Sequence, residues 1–413
     1  MIHLISLPQL NSLDDKLDPP LGLMYIAGML RHKGVPARII DLSFVDRKDW
    51  KEAIGYADTY GMTVFSSSLY LAIEVAKLAK QNNPSCITIV GGPHPTALPE
   101  EILPYFDYVV KGEGEFAFDS LSSPVVEMPQ IPDLNILQPP ARDLVDITRY
   151  HRKVQGHKCT SIVTTRGCPH KCAFCYKDMF GHKIRSFSVE RIVDEIKSIK
   201  ADFGIDAFII YDDTFILNRK RFYALCDKLS KLNIIFRRNG NARNNTMEDF
   251  EVLYNAGCRE LAFGIESGSQ KILDRIHKDV TVEQNKQAIK NAQKAGLIVK
   301  SFLMIGNPGE TRETIEETKQ FIIDADPDQF TLFTFIPLPG CAIWKDPDKY
   351  GVKITSKDFK DYYMIAGNYE GGAVLDTEEL TSAEIKEEKE KLVFFLKNHG
   401  QRGKLQDYYE RHV

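Results

Sequence analysis

Cys168, Cys172 and Cys175 lie in the run Arg166-Gly167-Cys168-Pro169-His170-Lys171-Cys172-Ala173-Phe174-Cys175-Tyr176, a C-x3-C-x2-C spacing. Three of the chain's eight cysteines therefore share one short segment. In a 413-residue chain whose apolar N-terminus reads as a strand and not as a signal peptide, such clustering points to metal or redox chemistry, not to a disulfide framework. Three thiolates on one loop can ligate three irons of a cubane cluster. The fourth iron is then an open Lewis-acid site for a chelating ligand. The competing reading is a closed zinc site, which needs a fourth ligand, and His170 and His182 stand nearby.

The apolar pattern indicates what must position this loop. Residues 162–165 read as a strand directly before it. Further strands are expected at 207–211, 234–237, 260–265, 299–305 and 329–335, alternating with helices near 189–200, 219–231, 247–255, 282–295 and 313–325. Six β/α units predict a partial TIM-type (β/α)6 barrel over 158–344, with its working residues at the C-terminal strand ends. Residues 1–121 carry a second α/β series, with strands at 2–7, 37–42, 62–65, 87–90 and 108–110. This predicts a doubly wound, flavodoxin- or Rossmann-like parallel sheet, whose ligands sit outside the C-terminal strand ends. Those ends read Ser66-Ser67-Ser68, Gly91-Gly92-Pro93-His94 and Lys111-Gly112-Glu113-Gly114, small and glycine-rich as a closely approaching ligand requires. Five prolines mark 122–157 as a linker. Residues 345–413 form a small, mainly helical extension, a Tyr-rich loop followed by a charged helix at 382–397. It is expected to pack as a lid or face the substrate, with Tyr362, Tyr363 and Tyr369 shaping the pocket.

The net charge of −4 gives no electrostatic reason to expect nucleic acid or an anionic membrane as partner. No apolar run approaches the roughly 20 residues that span a bilayer. A cytoplasmic protein is expected.

The stretch from Cys159 to about Trp344, which contains the cysteine segment, resembles the radical S-adenosylmethionine (SAM) superfamily. The triad matches C-x3-C-x-Φ-C with Phe174 as the aromatic residue. Leu261-Ala262-Phe263-Gly264-Ile265-Glu266-Ser267-Gly268 is similar to the fourth strand that helps hold SAM. Met304-Ile305-Gly306-Asn307-Pro308-Gly309-Glu310-Thr311 is similar to the glycine-rich turn near the adenine. The resemblance implies a 4Fe-4S cluster on Cys168, Cys172 and Cys175, and SAM contacts at Phe174, Glu266, Ser267 and Ile305. The family's glycine-rich motif after strand two is replaced by Tyr211-Asp212-Asp213-Thr214-Phe215. Asp212 or Asp213 either accepts a hydrogen bond from the SAM ammonium or caps a helix. Arg243 either pairs with the SAM carboxylate or faces solvent.

Residues 1–121 resemble the cobalamin-binding domain that precedes the barrel in one large class of that superfamily. The matching segments are Asp18-Pro19-Pro20-Leu21-Gly22, Gly91-Gly92-Pro93-His94-Pro95-Thr96 and Val109-Val110-Lys111-Gly112-Glu113-Gly114-Glu115. Implied cobalamin contacts are Leu21 and Gly22, the loop Ser66, Ser67, Ser68 and Leu69, Gly91 and Gly92, His94, and Glu113 with Gly114. The Asp-x-His-x-x-Gly signature that puts a histidine on cobalt is absent. His94, between two prolines, is expected to shape its loop or touch the corrin amides. A module for another nucleotide, or one that has lost cobalamin, is the alternative.

Cys86, Cys226 and Cys258 read as core residues. Cys341, after Pro337-Leu338-Pro339-Gly340, is a candidate rim thiol or a small buried residue. Together the resemblances imply a cobalamin-dependent radical SAM C-methyltransferase, using a 5′-deoxyadenosyl radical and methylcobalamin on a small-molecule or peptide substrate. A flavodoxin- or ferredoxin-type electron donor is implied. A non-methylating rearrangement or cyclisation is the second reading, and a non-catalytic sensor the third.

Overall fold

The computed structural model describes residues 1–8, 14–119, 121–243, 245–362 and 373–399; Tyr363 and Tyr369 lie outside these. The chain builds two parallel sheets. In the first, the spatial order is Ala37–Asp41, Ile2–Ser6, Thr59–Thr63, Ile87–Gly91, Tyr108–Lys111, Val125–Glu127, with every neighbouring pair parallel. The order switches direction between Ile2–Ser6 and Thr59–Thr63, which opens a crevice at the C-terminal strand ends. Helix Leu21–His32 covers one face, burying Leu23, Ala27 and Leu30 at helical spacing. Two elements differ from the sequence reading. The third strand begins at Thr59, three residues early, because Gly61 weakens its strand signature. The sheet also gains the short edge strand Val125–Glu127 inside the stretch read as linker, between Pro124 and Pro129.

The second sheet runs Gln329–Thr334, Ile298–Ile305, Cys258–Glu266, Ile235–Gly240, Ala207–Ile210, His157–Ile162. Its six strands are parallel and form an open half-barrel, and Lys153–Val154 adds an antiparallel hairpin at the last one. Phe208, Phe236, Leu261, Phe263 and Leu303 point outward into the core beneath the helices. Five of those helices start at a side-chain cap: Ser188, Asn218, Thr246, Thr281 and Thr311 each accept a hydrogen bond from a backbone amide three residues on. Each cap fixes where a strand-to-helix loop ends, and so where the rim lies.

The described part of the extension packs against the barrel. Helix Ser382–His399 lies on helix Arg312–Ala325, where Arg312 pairs with Glu384 (3.0 Å) and Glu388 (3.1 Å) and Ile385, Leu392 and Leu396 enter the barrel core. Tyr362 is buried against Trp344 and Phe359, and its hydroxyl donates to the Ser356 carbonyl, so it shapes a core and not an open pocket. Cys341 is likewise buried; its sulfur accepts from the Trp344 amide and starts the short helix Ala342–Lys345.

The two sheets are joined by a buried ionic network. Glu113, at the end of a first-sheet strand, takes both guanidinium nitrogens of Arg185 (2.6 and 2.8 Å) and the Ile131 amide (2.6 Å). Arg166 lies 3.5 Å from Glu113 and donates to Glu115 at 2.5 Å, sandwiched between the rings of Tyr25 and Phe180. Removing one partner of a buried pair strands the others at a cost of about 3–5 kcal/mol. Glu113→Ala is therefore expected to lower the unfolding free energy by that order, measured by urea unfolding of the metal-free protein. A loss below about 1 kcal/mol would show the network to be dispensable to the joint.

Candidate active site at the domain junction

The cysteine loop is clasped at its base. Thr165–Arg166 pairs antiparallel with Arg185–Ser186, and the Cys168 amide donates to the Gly181 carbonyl at 3.1 Å. Gly167 has φ +91°, and a Cβ there would lie 2.3 Å from the Lys183 carbonyl oxygen, so only glycine fits. Midway, the Ala173 amide donates to Ile276 and its carbonyl accepts from Ile343. Among the described residues no three His, Cys, Asp or Glu side chains converge on one metal-ligating point. The triad instead shares a loop in which burial pushes the Cys168 thiol up while the His170 amide and Lys177 favour its thiolate, and the charge of Cys172 reaches it. A pinned loop of three thiols with a lysine beside it fits an anionic thiolate-bound cluster.

The acidic pair proves to serve this loop. Asp212 is buried and accepts from the Thr164 amide (2.6 Å), the Thr165 amide (3.0 Å) and the Thr164 hydroxyl. Asp213 accepts from the Gly167 amide at 2.9 Å. The expected SAM contact at Asp212 is thus corrected: its acceptors are engaged at the loop's base. Asp213 is exposed and keeps the freer carboxylate. Ser267 is corrected similarly. It is fully buried, 3.2 Å from the Thr318 hydroxyl, and accepts from the Ser269 amide, so it locks the strand-four turn onto a helix.

Other expected residues do converge on the triad. Glu266 sits after a register slip at Gly264 and adopts φ +66°, a conformation non-glycine residues rarely take. The bulge turns its carboxylate onto Lys278 at 2.6 Å, and the Lys278 ammonium lies 5.6 Å from the Phe174 ring centre. Arg243 meets the His170 ring and lies 3.3 Å from Asp279, a largely exposed carboxylate. Phe174, Glu266 and Arg243 therefore share one end of the barrel with the cysteines. Lys278 and His170 join them without having been expected as partners here. Lys278 comes after a helix of only six residues, a position with no periodic signal. Ile305 is buried, its side chain in the core and its carbonyl accepting from the Phe335 amide, so it offers the rim main chain only. The next turn is held by Glu310, which accepts from the Gly306 (2.6 Å) and Asn307 (3.2 Å) amides.

Facing the loop is a glycine-lined apolar slot at the C-terminal ends of the first sheet. Gly22, Gly61, Gly91, Gly92, Gly112 and Gly114 line it with Leu4, Ile26 and Phe118, and Arg166, Met179 and Phe180 of the cysteine loop form its far wall. A Cβ on Gly92, at φ +104°, would come within 3.0 Å of Thr63 and Val64; one on Gly61 would come within 2.9 Å of Leu4. A slot that side chains would fill suits a long, slender group such as the nucleotide tail of a corrinoid. Leu21 stands half-buried beside it at the helix start. Glu113 is corrected: its carboxylate is engaged by Arg185, Arg166 and Ile131, and it holds the joint instead of the cofactor. In the serine loop, Leu69 is buried in the sheet's core and the Ser68 hydroxyl bonds the Phe65 backbone, which leaves Ser66 and Ser67 nearest the surface. Phe65, 45% exposed at that strand end, is a further candidate contact; an aromatic residue inside a strand pattern carried no hint of its exposure. His94 is 1% exposed, with Nδ1 2.9 Å from the Ser66 hydroxyl and its ring edge-on to Phe359, and burial pushes its pKa down to about 4.

Fold and site together define an α/β enzyme with two cofactor sites, a three-thiolate loop on a half-barrel and a glycine slot on a doubly wound sheet. The family model of the Radical SAM superfamily matches residues 162–322, and that of the B12 binding domain residues 17–122. A curated methyltransferase from Pyrococcus horikoshii, itself uncharacterised, is 33% identical over 362 residues, covering 79% of this chain and 78% of its own. The anaerobic magnesium-protoporphyrin IX monomethyl ester cyclase of Rubrivivax gelatinosus is 28% identical over 386 residues, 84% of this chain and 69% of its own. The radical S-adenosylmethionine methyltransferase TsrM from Kitasatospora setae, solved with cobalamin and a 4Fe-4S cluster bound, has the same fold, with a TM-score of 0.69 at 17% identity over 86% of this chain and 81% of its own. The chain belongs to the radical SAM superfamily and carries the B12-binding domain in front of the barrel. Its cofactors are a 4Fe-4S cluster, SAM and cobalamin, which sets the zinc reading aside.

Glu310 makes the rim turn sensitive to pH. Burial pushes its carboxyl up to about 7, against the amides that favour the anion. A carboxyl raised in the folded state stabilises the fold below its unfolded pKa, and that contribution is lost as pH rises through about 7. Unfolding free energy is expected to fall between pH 5 and pH 8, and Glu310→Gln to flatten that slope in denaturant titrations. An identical slope in the variant would remove Glu310 as the source.

Proposed function

We propose that the protein is a cobalamin-dependent radical SAM C-methyltransferase acting on an unactivated carbon of a small-molecule or peptide substrate. The observation that carries this is the joint: Arg166 and Arg185, at the two ends of the cysteine loop, both reach Glu113 beside the glycine slot. The two cofactors therefore open onto one space. When bound, they supply reductive cleavage of SAM and delivery of a methyl group. The chain's own residues bind and orient. Cys168, Cys172 and Cys175 hold the cluster, Arg243 and Asp213 take the carboxylate and ammonium of SAM, and Glu266 with Lys278 and Phe174 closes its ribose side. Gly91, Gly92 and Gly114 admit the cobalamin tail. His94 would not be a cobalt ligand, because its ring is held by Ser66 against Phe359.

The electron donor is an external flavodoxin- or ferredoxin-type protein. A reducing cytoplasm suits both that donor and eight cysteines, none of them in a disulfide. A non-methylating radical reaction is the second reading, favoured by the 28% identity to a cyclase.

The test uses anaerobically reconstituted enzyme with reductant, SAM and cob(I)alamin. S-adenosylhomocysteine is expected from methylation of the corrinoid, and 5′-deoxyadenosine from slow uncoupled cleavage. Replacing the three cysteines with alanine removes the 5′-deoxyadenosine. Formation of 5′-deoxyadenosine without any S-adenosylhomocysteine would transfer the assignment to the second reading, and absence of both would leave a sensor. The cob(II)alamin form is expected to show no nitrogen hyperfine coupling from imidazole; a coupling lost in His94→Ala would overturn the assignment of His94.

A further inference from the structure

Arg238 is 2% exposed, and strand alternation puts it on the same side of Ile235–Gly240 as Phe236, beneath the helices and away from the lumen. Among the described residues it makes no ion pair. Its Nε is buried without a partner, and its Nη1 donates to the carbonyl of the adjoining Asn239 at 3.1 Å. The groups around it do not supply the missing charge. Asp212 takes the Thr164 and Thr165 amides and the Thr164 hydroxyl. Asp249 takes Arg219 at 2.5 Å, the Tyr223 hydroxyl at 3.0 Å and the Thr246 amide at 2.7 Å. The Cys226 and Cys258 thiols stand near the guanidinium, but burial pushes both up to about 12, so they are neutral. Arginine stays protonated in proteins, and a buried charge without a counter-ion is costly.

The guanidinium head reaches a cavity. It lies against Gly240, where a Cβ would come within 2.9 Å of Nη1 and 3.2 Å of Nη2, and it stands 5.2 Å from the centre of the Phe215 ring. Arg238, Gly240 and Phe215 all line one cavity of about 170 Å³, between the loop after Ala207–Ile210 and the loop after Ile235–Gly240. One water needs only roughly 10–15 Å³. Arg219, Asn241 and Asn245 bring further N–H groups to the wall, and none of the described residues that line it is acidic. Ile216 and Leu217, the latter 49% exposed, add an apolar side. The cavity is separate from the place proposed for SAM. Neither the cysteine triad nor Asp213, Glu266 or Lys278 lines it, and only Arg243 and His170 are common to both.

We propose that this cavity binds a compact oxyanion, a phosphate or a carboxylate, with Arg238 as its counter-ion. The oxyanion is either a free ion or the end of a small organic molecule whose apolar part lies on Ile216 and Leu217. The occupant bridges the loop that carries Asp213 and the loop that carries Arg243, and it does so outside the lumen. The inference is therefore independent of which radical reaction the enzyme performs.

The test is calorimetric binding to the anaerobic holoenzyme saturated with SAM, which keeps the probes off the cluster and off the place of the SAM carboxylate. The probes are inorganic phosphate, phenyl phosphate and benzoate, with benzyl alcohol as the neutral control. At least one anion is expected to bind about tenfold or more tighter than benzyl alcohol. Tighter binding of phenyl phosphate or benzoate than of phosphate identifies an organic ligand, and the reverse identifies the free ion. Arg238→Gln is expected to lower the affinity for that anion by about ten- to hundredfold, the range for one charge-assisted hydrogen bond, and to leave SAM affinity unchanged. Gly240→Ala is the independent variant should Arg238→Gln fail to fold. It keeps the charge, but its Cβ displaces the guanidinium, so anion affinity is expected to fall there too. Anions that bind no tighter than benzyl alcohol, or unaltered anion affinity in both variants, overturn the proposal. Weaker SAM binding in Arg238→Gln with unaltered anion binding assigns the cavity to the SAM carboxylate and overturns it as well.

Discussion

Both arms of the cysteine loop meet the first sheet at one carboxylate. Glu113 is completely enclosed and is held by two arginines that flank the cysteine loop on both sides. A buried ion pair of this kind is weak as a source of net stability, because desolvating the charges offsets most of their attraction. It is strong as a source of orientation. A guanidinium that meets a carboxylate through two nitrogens fixes distance and plane together. With Arg185 so fixed, and Arg166 held by Glu115 and two aromatic rings, the loop's base has one position relative to the first sheet. A greasy interface of equal area would permit sliding. Radical transfer between a barrel rim and a corrinoid slot tolerates little of it, since reacting atoms must be held within about 3–3.5 Å.

The loop's second anchor comes from its own domain. Asp212 and Asp213 reach back from the next strand and collect the amides of Thr164, Thr165 and Gly167. Those amides precede the first cysteine, where no strand or helix partner exists for them, and a buried amide left unpaired is costly. The acidic pair thus performs inside the barrel what Glu113 performs across the joint. Glu266 adds a contrasting device. Its left-handed backbone is strained and is retained because a bulge there is the means of turning a carboxylate from the strand face onto Lys278.

The alternating pattern made both sheets, their strand ends and the cysteine loop readable, because periodicity and short-range spacing are local properties. The helices expected from 189 and 282 start where they were expected for the same reason, because apolar stripes begin there. What could not be read were partnerships across long sequence separations. Glu113 sits beside Gly114 in a ligand-like loop, and nothing nearby states that Arg185, 72 residues on, will claim it. Asp212 looks like a free carboxylate until the strand 48 residues earlier is laid beside it. The edge strand Val125–Glu127 is three residues long among prolines, too short to show a period. Tyr362 was readable as aromatic but not as buried, because Trp344 and Phe359 come together only in the fold.

Charge is distributed against the overall balance. The chain carries a net −4, yet Arg142, Arg166, Arg185 and Arg238 are all buried, and Arg237 and Arg243 stand half-buried at the site. The guanidinium is the cation best suited to such places, being weakly hydrated and planar, with donors to spare beyond one partner. SAM carries a carboxylate and cobalamin a phosphodiester, and the three cysteine thiolates ligate the cluster, so anionic groups are presented to the same region. A protein that met them with a neutral interior would have to desolvate each anion unassisted. Carboxylates such as Asp227 and Asp324 sit on helices that face solvent, where they restore solubility without weakening that interior field.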